Sequence, residues 1–210
     1  MKDKMNHIVE KATLLFIQNG LHSVSMDEVA LYTGISKKTL YENFQSKEML
    51  VNTIVQQMIS KMSKYVRVCA DMSPDAVTEM KNFSSYILEL PEILTPAFMR
   101  DLKKYYPESH LQLKLFRINS IIPFIQRCLQ RGIEEGVFRA DIDKANVAWL
   151  YCWQLQNVLE TDNFLPDPRK VISGINDLFL YSILNSKGQK LLNTNKLNEH
   201  HTQKGKLVAD

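Results

Sequence analysis

Lys37, Lys38, Thr39, Tyr41 and Asn43 fall within seven consecutive residues, and each can donate a hydrogen bond. Ammonium, hydroxyl and amide donors clustered in this way suit phosphate oxygens and the base edges of a DNA major groove. Lys47 follows at what reads as a helix start, where the N-terminal dipole also favours a phosphate. From Thr33 to Lys47 the chain carries three lysines and one acid, Glu42. A solvated polar face would use the same residue types, so placement must decide between the two. Competing chemistry is poorly formed. His7, His22, His110, His200 and His201 make no HExxH pair, and there is no GxSxG elbow, phosphate loop or dinucleotide fingerprint. Cys69, Cys128 and Cys152 lie far apart without CxxC spacing, as expected for buried thiols in a reducing compartment. Paired acids such as Glu134-Glu135 read as a helix surface. Neither catalysis, a metal nor a cofactor is expected.

Two short helices have to hold the donor cluster. Ser25-Met26-Asp27-Glu28 reads as a capping box, with Val24 and Val29 as a hydrophobic staple. Gly34 ends that helix and supplies a left-handed turn. Ser36 caps the next one, with Ile35 and Leu40 again at staple positions. Ile35, Leu40 and Phe44 then point inward and leave the donors outward. Two capped helices around a glycine turn make a helix-turn-helix, although spacing alone fits any αα-corner equally well.

The rest of the chain is helical in period. A first helix is expected over Asp3–Asn19 with Gly20 as its stop, and a fourth from Ser46 to about Cys69. Ala76, Met80, Phe83 and Ile87 mark another, and a shorter one follows Pro91 up to about Tyr105. Leu111, Leu115, Ile118, Ile122, Ile125 and Leu129 form an apolar seam that Pro123 should kink. Two final helices, about Asp143–Glu160 and Pro168–Asn185, are apolar on more than one face, which suggests a subunit interface. The expected fold is all-α: a three-helix head (1–48), a bundle body of five to six helices (49–187) and a polar, disordered tail (188–210). At 210 residues and 45% hydrophobic, the chain can bury its own cores. The net charge of +3 argues only weakly for an anionic partner, since a nonspecific polyanion binder would normally be much more basic. No apolar run approaches the length of a bilayer span, and no signal peptide is evident, so a cytoplasmic protein without a membrane partner is expected.

The stretch from Ser25 to Leu50 resembles the signature of the TetR family of transcriptional regulators. The matching runs are Ser25-Met26-Asp27-Glu28-Val29-Ala30, Thr33-Gly34-Ile35-Ser36-Lys37-Lys38-Thr39-Leu40-Tyr41-Glu42-Asn43-Phe44 and Ser46-Lys47-Glu48-Met49-Leu50. The preceding Asn19-Gly20 fits as well, and Gly132 to Arg139 resembles a junction common in such bodies. The resemblance implies that Lys37, Lys38 and Thr39 meet base edges and adjacent phosphates, and that Tyr41, Asn43 and Lys47 meet phosphates. Ser25 and Ser36 would cap the helices that approach the duplex. Lys38 stands where glycine is frequent and Asn43 where histidine or tyrosine is frequent, so no operator sequence can be borrowed from relatives.

The resemblance also implies a homodimer bound to a double-stranded DNA operator, a repressor by usual mode, controlled by a small molecule in the body. An apolar or aromatic effector would fit a pocket lined by Met80, Phe83, Tyr86, Phe98, Tyr105, Phe116, Phe124 and Trp153, residues that ordinary core packing would also explain. Trp149, Ile172, Ile175, Phe179 and Ile183 are the expected dimer contacts. Control by a protein partner without a ligand pocket, and an all-α enzyme, are the alternatives.

Overall fold

The computed structural model describes residues 2–161 and 167–194. The tail pair His200-His201 lies outside the described residues. Among the described residues the main α-helices are α1 (Lys2–Asn19), α2 (Met26–Thr33), α3 (Lys37–Asn43), α4 (Lys47–Met72), α5 (Ala76–Ile87), α6 (Leu90–Ile93), α7 (Pro96–Tyr105), α8 (Pro107–Phe116), α9 (Ile122–Glu134), α10 (Lys144–Glu160) and α11 (Pro168–Ile183), and a further helical segment covers 186–194. Among the described residues there is no strand, only a single antiparallel bridge between Phe138 and Leu184. No described helix is long and apolar enough to cross a membrane.

The first three helices close over Ile8, Ala12, Phe16, Leu21, Val29, Leu40 and Phe44, all fully or almost fully buried. The 26-residue α4 starts in this head, where Leu50 and Ile54 are buried, and ends in the body, where Val66 and Cys69 are. One continuous helix therefore mechanically joins the two regions.

In the body, α5, α9, α10 and α11 surround a core that includes Phe83, Phe124 and Tyr151. Polar groups tie it at two places. The Tyr151 hydroxyl donates to Asn176 Oδ1 at 2.6 Å, and the Asn176 amide donates to the Ser84 carbonyl at 2.9 Å, linking α10, α11 and α5. Arg131 on α9 donates to Glu79 at 2.9 Å, to Glu135 at 2.7 Å and to the Ser73 carbonyl at 3.2 Å. Glu135 in turn accepts from the Ala76 N–H at the start of α5. Burial pushes the Glu79 carboxyl above its ordinary range in spite of Arg131.

Prolines set the breaks. Pro96 opens α7, so the single helix expected from Pro91 to Tyr105 is two, parted at Leu94-Thr95. Pro123 acts earlier along the chain than a simple kink would: Arg117–Ile121 take a π-helical turn, with the Ile122 N–H bonded to the Arg117 carbonyl five residues back.

Two expectations about the chain's end need correction. The segment 186–194 is helical, not a disordered tail from 188 onward. Asn185 starts it by accepting from the Lys187 and Gly188 N–H groups at 3.0 Å each, and Leu192 is buried. Gly188 is required there, since a Cβ would lie 2.2 Å from the Val137 carbonyl oxygen. Of the expected dimer contacts, Ile172, Phe179 and Ile183 are buried within the chain's own core. Ile175 is half-buried, and Trp149 is exposed. The exposed apolar side chains on the last two helices are instead Trp149, Leu150 and Trp153 on α10 and Leu178 and Tyr181 on α11. On an apolar helix the face turned to the core cannot also be the face turned to a partner.

Candidate nucleic-acid interface

The short helices are fixed by their own ends. The Ser25 hydroxyl accepts from the Glu28 N–H at 3.2 Å, and the Glu28 carboxylate accepts from the Ser25 N–H at 2.6 Å, which closes the capping box. Those bonds hold the Glu28 carboxyl below its ordinary range. Gly34 has φ of +70°, and the Ile35 N–H returns to the Ala30 carbonyl at 3.0 Å. A side chain at Gly34 would meet nothing, so its role is backbone conformation alone. Ser36 accepts from the Thr39 N–H at 3.1 Å, and Ser46 caps α4 by accepting from the Met49 N–H at 3.1 Å.

This scaffold sorts the expected contact residues into three groups. Leu40 and Phe44 are fully buried and Ile35 half-buried, which fixes the rotation of α3 and turns Lys37, Lys38, Tyr41 and Glu42 to solvent. Lys38 and Tyr41 have no hydrogen-bond partner among the described residues. Lys37 pairs with Asp27 of α2 at 2.7 Å, with both side chains more than half exposed. A pair this exposed contributes little and yields to a phosphate at small cost. Thr39 and Asn43 are half-buried: the Thr39 hydroxyl accepts from Ser36, and the Asn43 amide donates to the Thr39 carbonyl at 2.8 Å.

Lys47 differs from the rest. It is half-buried, its ammonium donates to the His22 carbonyl at 3.3 Å and lies 5.7 Å from the centre of the Phe16 ring. Burial lowers its pKa, while the carboxylates of Asp101 and Glu28 pull it back up. Its side chain clasps the loop before α2.

That loop is also where the body reaches the head, a feature the sequence reading missed. Asp101 on α7 accepts from the His22 N–H at 2.8 Å, and Tyr105, one turn further on, stacks on the His22 ring with centroids 4.2 Å apart. Contacts 79 residues apart in sequence carry no local signal.

The body carries a partly open pocket of about 100 Å³ between α4, α5, α7, α8 and α10. Of the eight residues expected to line a pocket, Phe83 and Phe116 do. Tyr86 faces a neighbouring open groove and stacks on Tyr65 at 3.9 Å. The other five are corrected: Met80, Phe98 and Phe124 are packed into the core, while Tyr105 and Trp153 are exposed. Aromatic type did not predict cavity lining; Cys152 lines it, and the adjacent Trp153 points away. Burial pushes the Cys152 thiol up to about 12, and all three cysteines are buried.

Comparison with known proteins agrees with this geometry. Residues 8–54 match the family described as "Bacterial regulatory proteins, tetR family". Over 112 residues the chain is 30% identical to the uncharacterized HTH-type transcriptional regulator YvaF of Bacillus subtilis (strain 168), covering 52% of this chain and 57% of that protein. It thus spans little more than half the length of that relative. Over 140 residues it is 24% identical to the HTH-type transcriptional repressor DhaR of Mycobacterium sp. (strain GP1), covering 65% and 70%. The fold is similar to the transcriptional regulator FadR from Bacillus subtilis, whose structure was solved in complex with stearoyl-CoA, with a TM-score of 0.65 at 14% identity over 84% of this chain and 98% of that one. The capped α2–α3 pair lies within the segment that matches the TetR family of bacterial regulatory proteins, and the all-α body is similar in fold to the solved structures.

Proposed function

We propose that this protein is a homodimeric repressor whose α3 enters the major groove of an operator and whose affinity for that operator is set by a small molecule in the body. The observation that carries the reading is the outward face of α3, where Lys38 and Tyr41 stand exposed and unpartnered on a helix whose orientation is locked by Leu40 and Phe44. Lys38 reads a base edge; Tyr41 and a Lys37 released from Asp27 hold phosphates. Thr39 and Asn43 contribute mainly by ordering the helix, and Ser25 and Ser36 by capping it. Lys47 supports the α1–α2 loop with its side chain and offers the start of α4 to the backbone.

Two copies would pair through the exposed apolar side chains of α10 and α11, as Trp149, Leu150, Trp153 and Leu178 need cover. Such a dimer presents two recognition helices to half-sites roughly 34 Å apart, one helical turn. The body controls the head through α7, which places Met99 against the cavity and Asp101 on the His22 N–H. An effector acts only through its different affinity for the DNA-bound and free arrangements. The division of labour falls on α4, with the head up to about residue 48.

Light scattering on the full chain, followed by operator binding with and without candidate effectors, tests the reading. A dimer that binds a palindromic site and releases it on effector addition is expected. A monomer, or a dimer indifferent to all DNA at moderate salt, contradicts it.

A further inference from the structure

The cavity in the body is not uniformly apolar. Phe83, Ile87, Leu94, Leu113 and Ile121 make most of its wall, but His110, Lys114, Arg117, Gln156 and Glu160 gather at one side. Glu160 is already engaged: it accepts from Gln156 at 2.7 Å and lies 3.7 Å from His110 Nε2 and 3.8 Å from Lys103 Nζ. Arg117 is different. It is half-buried, and no ion pair or hydrogen bond reaches its guanidinium among the described residues. Glu160 acts on Arg117 only through its charge, without a hydrogen bond, and Arg117 and Lys114 give this side two cations against one carboxylate. The cost of burial is visible in the lowered pKa of Arg117.

The backbone places Arg117 deliberately. It opens the π turn Arg117–Ile121, and both end residues of that turn line the cavity. Pro123 lacks the N–H that a regular helix would send back to residue 119, so the ladder widens just ahead of it. The widened turn places Arg117 and Ile121 together on the pocket wall.

We infer that the effector is an amphipathic acid whose carboxylate seats on Arg117 and whose apolar part fills the space between Phe83, Leu113 and Ile121. This rests on the reading of the body as a small-molecule sensor and adds the chemical class of the ligand. A carboxylate matches the planar fork of a guanidinium with two parallel hydrogen bonds, which Lys114 cannot supply. The pocket of about 100 Å³ continues past Met62, Leu90, Leu94 and Leu113 into the neighbouring groove, and its apolar wall suits an alkyl chain. Glu160 is the rival anion, and its network with Gln156, His110 and Lys103 keeps it from occupying the site.

The test is titration calorimetry of the full-length protein with octanoate, 1-octanol and octyltrimethylammonium, which share a chain and differ in charge. Octanoate should bind best. Arg117→Gln should weaken octanoate about tenfold or more, the scale of a charge-assisted hydrogen bond in a half-buried site, and leave octanol unchanged. Arg117→Lys should recover part of the loss, and Glu160→Gln should strengthen octanoate several-fold by removing the rival charge. Unchanged octanol binding also reports that the Arg117→Gln cavity is folded. Equal binding of octanoate and octanol, or an octanoate preference that survives Arg117→Gln, overturns the inference and leaves the sensor reading standing. Failure of all three probes to bind overturns the inference, and failure of every candidate effector to alter operator affinity overturns the sensor reading itself.

Discussion

Head and body reach order by different means. In the head, α2 and α3 are eight and seven residues long, far too short to persist alone. Each is held by a serine cap and by one buried side, and every outward side chain is left to solvent or to a weak surface pair. In the body, helices are longer but less regular: a π turn, a four-residue α6 and a cavity interrupt the packing, and a buried ion pair stands where apolar residues would pack more simply. The head is thus packed around its caps, whereas the body keeps unfilled space beside a half-buried guanidinium. The proposed regulator would use both properties, kept apart in the two regions. Here the joints include α4, which runs through both regions, the Asp101–His22 bond and the Tyr105–His22 stack.

The largest effect that separates the regions comes from the buried pair. Replacing Arg131 with Met strands Glu79, whose side chain is only 5% exposed, and should cost about 3–5 kcal/mol in urea unfolding. The double replacement Glu79→Leu with Arg131→Met should restore most of it. A single variant as stable as the wild type would contradict the assigned role of the pair. The pH dependence has a defined sign. Because the folded carboxyl of Glu79 holds its proton more tightly than the ordinary value of 4.5, its contribution is fully present below that value and declines as pH rises through the folded value. Arg131→Met should deepen that decline and carry it to higher pH, as read from unfolding curves at several pH values.

In the head, Gly34→Ala forces a side chain into the left-handed region at φ +70° with no steric clash, so about 1–2 kcal/mol of stability should be lost. Operator binding should fall as the α2–α3 angle relaxes, while effector binding in the body is unchanged. At the joint, Asp101→Asn keeps size but removes the charge that accepts the His22 N–H. It should change stability by less than about 1 kcal/mol. Its diagnostic effect is a weaker response of operator affinity to effector, with both separate affinities kept; an undiminished response would remove Asp101 from the route. Smallest of all, Lys37→Ala should cost no more than about 0.5 kcal/mol, because its partner Asp27 is as exposed as it is.

The same contrast explains what was legible in the sequence. Ser25 with Glu28, Gly34, and Ser36 with Thr39 act over three or four residues, so their roles can be read from spacing alone. Leu40 and Phe44 then determine which side of α3 faces out. In the body, the side a residue faces depends on how helices distant in sequence cross, and one position along α10 separates Cys152 in the cavity from Trp153 in solvent. Aromatic residues drew attention to a pocket they mostly do not line. Leu111 and Leu115 of the expected apolar seam are exposed, and it is Arg117, off that seam, that lines the pocket. The helix over 186–194 carries little sequence signal because its apolar anchor, Leu192, sits in a polar stretch and its cap, Asn185, follows directly on α11.

The central claim concerns the free face of α3, and selection of DNA sequences by the wild-type protein, repeated with Lys38→Ala and Tyr41→Ala at fixed salt, tests it most directly. Lys38→Ala should lose preference at one base pair per half-site at a cost of about 1–3 kcal/mol, and Tyr41→Ala should weaken all sequences alike with the preference intact. Both variants should unfold within about 0.5 kcal/mol of the wild type. If both select and bind the same sites as tightly as the parent protein, α3 is not the surface that meets DNA.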